Sequence, residues 1–329
     1  MKKTKEELLC YLPVVSVLAM ACCILWGSAF PGIKLGYQFF AIPSDEVASQ
    51  ILFAGIRFTL AGVLTILIGS VLNREVLRPR KESLSKIVVL CLFQTVLQYL
   101  FFYVGLANTS GVKGSIINGS NVFVAIIFAC FVFRQEKITV QKMIGCLLGF
   151  AGVVLINLNG SGISLSFSLL GEGFILLSTV AYSVSSVIMK NYSKKENPVM
   201  LSGYQFLAGG LIMMACGFAF GGRLHEISGK GIGILVYLAF VSAAAYSVWG
   251  ILLKYNPVSR VAVFGFMNPV SGVLLSALFL KEKSQEFGVK GVIALILVCI
   301  GIYVVNYSPN SAQEKSMLSQ DSVSDASES

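Results

Sequence analysis

Charge is scarce in this chain. Asp, Glu, Lys and Arg make up 12% of it, against roughly 25% in an ordinary soluble domain. Hydrophobic residues reach 56%, at a mean hydropathy of +0.80, which excludes a soluble globular or disordered class. Acidic groups are scarcer still, and no Asp or Glu falls in the middle of a long apolar run. Proton-coupled exporters of lipophilic cations usually rely on such an acid, so that function is disfavoured. There is one histidine, His225, and no C-x-x-C among the eight cysteines. Cys22, Cys23, Cys91, Cys130, Cys146, Cys216 and Cys299 lie inside apolar runs and Cys10 at the edge of one. A structural zinc set is therefore excluded, the cysteines read as packing residues, and no metal or cofactor is expected. The longest expected inner connection, from Asn73 to Ser85, is too short to fold alone.

What remains is a series of ten apolar runs, near 14–34, 50–72, 86–106, 111–133, 139–157, 169–190, 199–220, 232–253, 259–280 and 287–306. Each approaches or exceeds the roughly 20 residues needed to cross about 30 Å of hydrocarbon. They are continuous, unlike barrel strands of about ten alternating residues. The predicted fold is an all-α membrane protein, since lipid makes each spanning segment satisfy its own backbone.

The last five runs repeat the first five. Trp26, Ser28 and Lys34 stand over Tyr182, Val184 and Lys190, with Ser185 and Ser186 over Ala29 and Phe30. Ile56-Arg57-Phe58 through Gly62 lies over Tyr204-Gln205-Phe206 through Gly210, and Tyr99, Asn121, Glu136 and Gly145 meet Tyr246, Asn268, Glu282 and Gly291. With the N-terminus inside, 17 of the 25 basic residues fall on the cytoplasmic side, which favours N-in and C-in placement in the cell membrane. Five helices per repeat then make the halves antiparallel.

The expected organisation is a cytoplasmic N-terminus (1–13), a first five-helix repeat (14–157), an outer connection (158–168), a second repeat (169–306) and a cytoplasmic tail (307–329). The tail has eight serines between Ser308 and Ser329, with Glu314, Asp321, Asp325 and Glu328, a disordered composition. The basic N-terminus followed by an apolar run has the form of a cleaved signal. Cleavage would delete the partner of the sixth run, so the segment is expected to stay. The net charge of +9 lies mainly in short inner loops, as insertion requires. Membrane lipids are the expected charged partner, and no nucleic acid.

Together these residues resemble a known family. Trp26-Gly27-Ser28 with Phe30 and Lys34, Arg57-Phe58, the stretch Tyr103 to Ser115, and Asn268-Pro269-Val270 leading to Glu282 are similar to the ten-helix EamA-like branch of the drug/metabolite transporter superfamily. The resemblance implies a secondary carrier of small metabolites, often outward, working by alternating access between two inverted five-helix halves. Two departures stand out. The family often shows Glu-Pro-Val where this chain has Asn268-Pro269-Val270, and Asn121-Val122 stands where a proline often falls.

In an inverted-repeat carrier, substrate sits near the midplane at the repeat interface, where polar groups and broken helices face a cavity. Trp26, Tyr182, Asn121 and Asn268 fall near mid-span as two pseudo-symmetric pairs. Asn118 with Asn121, and Gln94 with Gln98, each share a helix face, where they either contact substrate or bond a neighbouring helix. Arg57 is the most costly residue to place in lipid, at about 2.5 to 3.5 kcal/mol near the centre of a span. It is read as a substrate or gate contact, or else as a side chain that snorkels or pairs with a carboxylate. Its repeat counterpart is Gln205. Phe30, Tyr99, Tyr103, Tyr246 and Trp249 are candidate chamber walls with polar handles.

Pro31 and Pro269 are candidate hinges or kinks, Pro269 by freeing the carbonyl of Gly265. Lys34 and Lys190 are expected to snorkel at the membrane edges, and Glu136 and Glu282 to pair with Lys137 and Lys281. Glu172 is expected to meet a positive helix terminus. The stripe Gly145, Gly149 and Gly152 serves close packing, either within the chain or across a homodimer.

The reading is a secondary transporter that exports a small metabolite, with an amino acid or a related compound as the leading candidate. A membrane enzyme would need a nucleophile or metal beside a general base, and no such motif appears. A sensor or scaffold without transport remains the other class.

Overall fold

The computed structural model describes residues 4–109, 111–157, 167–280 and 289–307. No strand occurs among them. The helices are α1 (Leu12–Phe39), α2 (Val47–Asn73), α3 (Lys81–Ala107), α4 (Lys113–Val132), α5 (Val140–Asn157), α6 (Leu169–Ser193), α7 (Pro198–Ala219), α8 (Gly229–Tyr255), α9 (Val258–Leu275) and α10 (Val289–Asn306). Among the described residues nine are long and apolar enough to cross a bilayer, and α5 is apolar over the shorter stretch Val140–Leu155. The protein is an all-α membrane protein. The connection 158–166, Lys281 with Glu282, and the serine-rich segment from Ser308 lie outside the described residues.

Helix ends follow local chemistry. Asn197 caps α7 by accepting from Val199 N at 2.9 Å, with Pro198 in the first position, where its missing N–H costs nothing. Ser228 caps α8 by accepting from Gly231 N at 3.1 Å. A short helix, Lys5–Cys10, precedes α1 and opens on a Thr4/Glu7 capping box. It docks on the end of α8, where Asn256 Nδ2 donates to Leu9 O at 2.9 Å and Cys10 Sγ lies 3.3 Å from Tyr255 O.

Three helices are irregular at mid-length. α3 winds as a π-helix over Cys91–Leu97. α4 turns at Ser120, immediately before Asn121, and ends in a π-helix over Phe128–Val132. α9 tightens to a 3-10 helix over Val263–Phe266 and resumes as α-helix at Met267, two residues before Pro269. The missing amide of Pro269 removes a bond from that turn. Pro31, by contrast, lies inside the unbroken helix of α1.

Two pairs of helices five apart in chain order, α2 with α7 and α5 with α10, pack directly on each other. A Cβ on Gly55 would come within 2.5 Å of Met214 N, one on Gly217 within 2.7 Å of Leu52, and one on Gly69 within 2.8 Å of Val199, while Gly62 meets the backbone of Leu207. As the number rises on α2 it falls on α7, so the pair is antiparallel. The same holds for α5 and α10, where Gly145 meets Gly301 and Val305 and Gly152 meets Ala294 and Val298. The glycine stripe of α5 is thus used within the chain. Around these seams α1 packs on α8 and α9, just as α6 packs on α3 and α4.

Candidate functional site

The site is built from the inward faces of α1, α2, α3, α7 and α8. Tyr246 and Trp249 are three apart on α8 and share a face. Trp26 of α1 meets both edge-on, with ring centroids 5.0 Å away in each case. Phe206 of α7 meets Tyr246 at 4.9 Å and stacks on Phe58 of α2 at 5.3 Å, which in turn tilts against Tyr99 of α3 at 4.4 Å. The hydroxyls of Tyr99 and Tyr246 lie 3.0 Å apart and share a hydrogen bond. Tyr182 of α6 packs on the same cluster. Such edge-to-face and tilted pairs are worth about 0.5 to 1.5 kcal/mol each beyond their buried area.

Arg57 enters this cluster from α2. It is 3% exposed, so it does not snorkel. Its Nε and Nη2 both donate to Ser242 Oγ, at 3.1 and 2.9 Å, and its guanidinium carbon lies 5.1 Å from the Phe58 ring centroid. No carboxylate pairs with it among the described residues. Tyr37 and Tyr103 pack in the same cluster. A buried cation is costly unless paired, and here its partners among the described residues are a neutral hydroxyl and an aromatic ring.

The amides divide into two sets. Gln205 is fully buried; its Oε1 accepts from Thr95 Oγ1 at 2.6 Å, while its Nε2 has no partner. Gln94 and Gln98 each hold a buried Oε1 without a partner, and Gln98 lies beside Tyr246. The Trp26 Nε1 is likewise buried and unpartnered. These open groups point to a site that water or a ligand completes.

The second set runs along α4 and α9. Asn121 follows the Ser120 turn, and its carbonyl accepts from Ser183 Oγ of α6 at 2.9 Å. Its Oδ1 would sit 3.5 Å from a Cβ on Gly265 in the 3-10 segment of α9. Asn268 has a buried Oδ1 without a partner among the described residues, and Asn118 is half-buried. No hydrogen bond or ring contact joins this set to the aromatic cluster among the described residues. Phe30 is also apart: it lies against Gly272 of α9 and is 40% exposed.

Of three charged groups at the helix ends, Lys190 and Glu136 differ from expectation and Glu172 meets the helix start as expected. Lys190 turns inward and donates to the carbonyls of Leu253, at 3.2 Å, and Asn256. The last turn of α8 leaves carbonyls without helical donors, and the ammonium fills that gap. Glu136 pairs with Lys142, at 2.9 Å, and accepts from Ser259 N and Oγ at the start of α9; Lys137 contributes its carbonyl to Lys142 instead. Burial pushes the Glu136 pKa up, but the bonds from Ser259 and Lys142 outweigh it and hold the carboxyl below its ordinary value. Glu172 accepts from Ser168 N at 2.7 Å at the start of α6 and pairs with Lys113 at 2.8 Å.

Sequence reasoning passed over Ser242, Phe58, Phe206, Thr95 and Tyr37 as site residues. Ser242 stands four before Tyr246 and seven before Trp249, so the helical period carries a signal for it. Phe58 and Phe206 are the phenylalanines that coincide when the last five apolar runs are laid over the first five.

The fold and site define a multi-pass membrane protein with a buried cation ringed by aromatic side chains. The model of the EamA-like transporter family matches residues 14–158 and again 169–307. The chain belongs to the EamA-like transporter family, and so to the drug/metabolite transporters. An uncharacterized transporter of Archaeoglobus fulgidus is 28% identical over 286 residues, covering 85% of this chain and 94% of that relative. The uncharacterized inner membrane transporter YedA of Escherichia coli is 26% identical and covers 91% and 94%. A WAT1-related chloroplastic protein of Arabidopsis thaliana is 26% identical and covers 86% and 67%. A crystal structure of a protein sharing 19% identity superposes with a TM-score of 0.73 over 90% of this chain and 97% of the other, which shows the same fold. The family and two of these three relatives are named as transporters, and the chain is a membrane transporter.

Proposed function

We propose that the chain is a secondary transporter that carries a small carboxylate-bearing metabolite, an amino acid or a close relative, outward across the cytoplasmic membrane. In this reading ten helices cross the bilayer with both termini in the cytoplasm. The two five-helix halves alternate access to a site between them. The observation that carries the substrate reading is Arg57, buried at 3% exposure with no carboxylate partner among the described residues and with both hydrogen bonds on Ser242. A cation at that depth is a functional group by default, and the rings around it accommodate an apolar side chain. The antiparallel crossings of α2 with α7 and of α5 with α10 support the alternating halves.

The test is transport by the purified chain in proteoliposomes, using a panel of amino acids and small organic acids. At least one carboxylate-bearing member is expected to move. Arg57→Ala should slow it by about thirtyfold or more, the effect of truncating one side of a buried charge pair, with the unfolding temperature of the variant no lower than that of the parent. The reading is overturned if no panel member moves while a known carrier succeeds in parallel, or if Arg57→Ala transports as the parent does.

A further inference from the structure

A groove of about 640 Å³ opens between α2, the start of α7 and α8, on the side of the molecule that carries the N-terminus. Its α8 wall includes Phe240, Ala244 and Val248. On a helix turning 100° per residue these lie opposite Ser242, Tyr246 and Trp249, so the groove is separate from the aromatic site. Ile68 and Leu72 of α2 form the other wall and are 41% and 78% exposed, turned outward to the bilayer. At its end the groove is edged by Lys194, Lys195 and Lys254. None of the three has a carboxylate partner among the described residues. The one acid on the rim, Glu196, is taken by Lys86 at 2.5 Å, which holds it below the ordinary carboxylate range.

We propose that this groove is a binding site for one anionic phospholipid of the leaflet on the N-terminal side. The acyl chains lie along the apolar walls, and the phosphate meets the three lysines. Apolar area fixes the chains, and the basic cluster selects the headgroup. Lipid is the occupant the groove fits, because its long walls face the hydrocarbon and its only concentrated charge is positive and lies at one end.

Native mass spectrometry of the full chain in neutral detergent tests this without any transport assay, so its failure is independent of the transport reading. Phosphatidylglycerol and phosphatidylcholine with identical chains are added in turn. Retention of one phosphatidylglycerol in preference to phosphatidylcholine is expected. The triple variant K194Q/K195Q/K254Q should bind it on the order of a hundredfold more weakly, from the usual contribution of a lysine near anionic headgroups. Ala244→Phe, which fills the groove and leaves the lysines in place, should lower retention of both lipids, and it serves as the second variant if the triple one does not elute as the parent does. Equal retention of the two lipids, unchanged preference in the triple variant, unchanged retention in Ala244→Phe, or displacement of the lipid by an equal concentration of glycerol 3-phosphate would each overturn the proposal.

Discussion

Arg57 directs both of its hydrogen bonds at one hydroxyl, and that hydroxyl also donates to Leu238 O at 3.1 Å. Removing it by Ser242→Ala leaves a buried guanidinium without a protein acceptor, and the lost bonds should lower stability by about 1 to 3 kcal/mol. The measurement is thermal unfolding in detergent, with Tyr99→Phe as a milder comparison. That change removes the 3.0 Å bond to Tyr246 and should cost about 1 kcal/mol. Arg57 was legible in the sequence because a charge deep in an apolar run has no routine explanation. Ser242 was not, although its spacing to Tyr246 and Trp249 fits. Serines in membrane helices commonly bond their own preceding turn, as Ser242 also does, so nothing in the sequence marks one as holding a partner on another helix.

The helices themselves are set by apolar runs, and the observed ends fall within a few residues of those expected. Their irregular turns were less visible. Pro269 announces the 3-10 segment of α9, but no proline marks the turn at Ser120 or the π-helix of α3. Those depend on neighbours, such as the bond from Thr95 to Gln205. The short Lys5–Cys10 helix has no apolar period of its own, and its signal is the Thr4/Glu7 box. Glycines carry the closest helix pairs. At Gly62 a Cβ would strike the backbone of Leu207, which cannot yield as a side chain can. Gly62→Ala should therefore destabilise by about 1 to 3 kcal/mol in detergent unfolding. Gly233→Ala on α8, where a Cβ meets nothing within 4 Å, should be neutral or stabilising by up to about 1 kcal/mol.

Across the whole molecule, the end bearing the N-terminus is tied together by a small polar network. Glu136 joins the α4–α5 connection to the start of α9, and Lys190 joins α6 to the end of α8. The Glu136 carboxyl titrates below its ordinary value of 4.5. Its contribution to stability is therefore fully present above that pH and is lost as the pH falls through the depressed folded value. Glu136→Gln should lower the unfolding temperature near neutrality, and the gap between parent and variant should close on acidification below about pH 4. A parallel fall of both proteins with no closing gap would remove Glu136 from that role. The sequence placed Glu136 at a helix end but chose Lys137 as its partner. Adjacency in sequence does not say which way a loop curls, and here the loop brings round Lys142 and Ser259.

The two glycine seams join one half of the chain to the other, and at Gly55, Gly62, Gly145, Gly152 and Gly217 the facing backbone comes so close that little side chain is left to absorb a mismatch. A swap that takes residues 1–157 from this protein and the remainder from a relative would set a ledge where its partner has no recess. The halves are thus bound to drift as a matched set. A chimera should fold only when both faces of each seam come from the same parent, whatever the similarity of the rest.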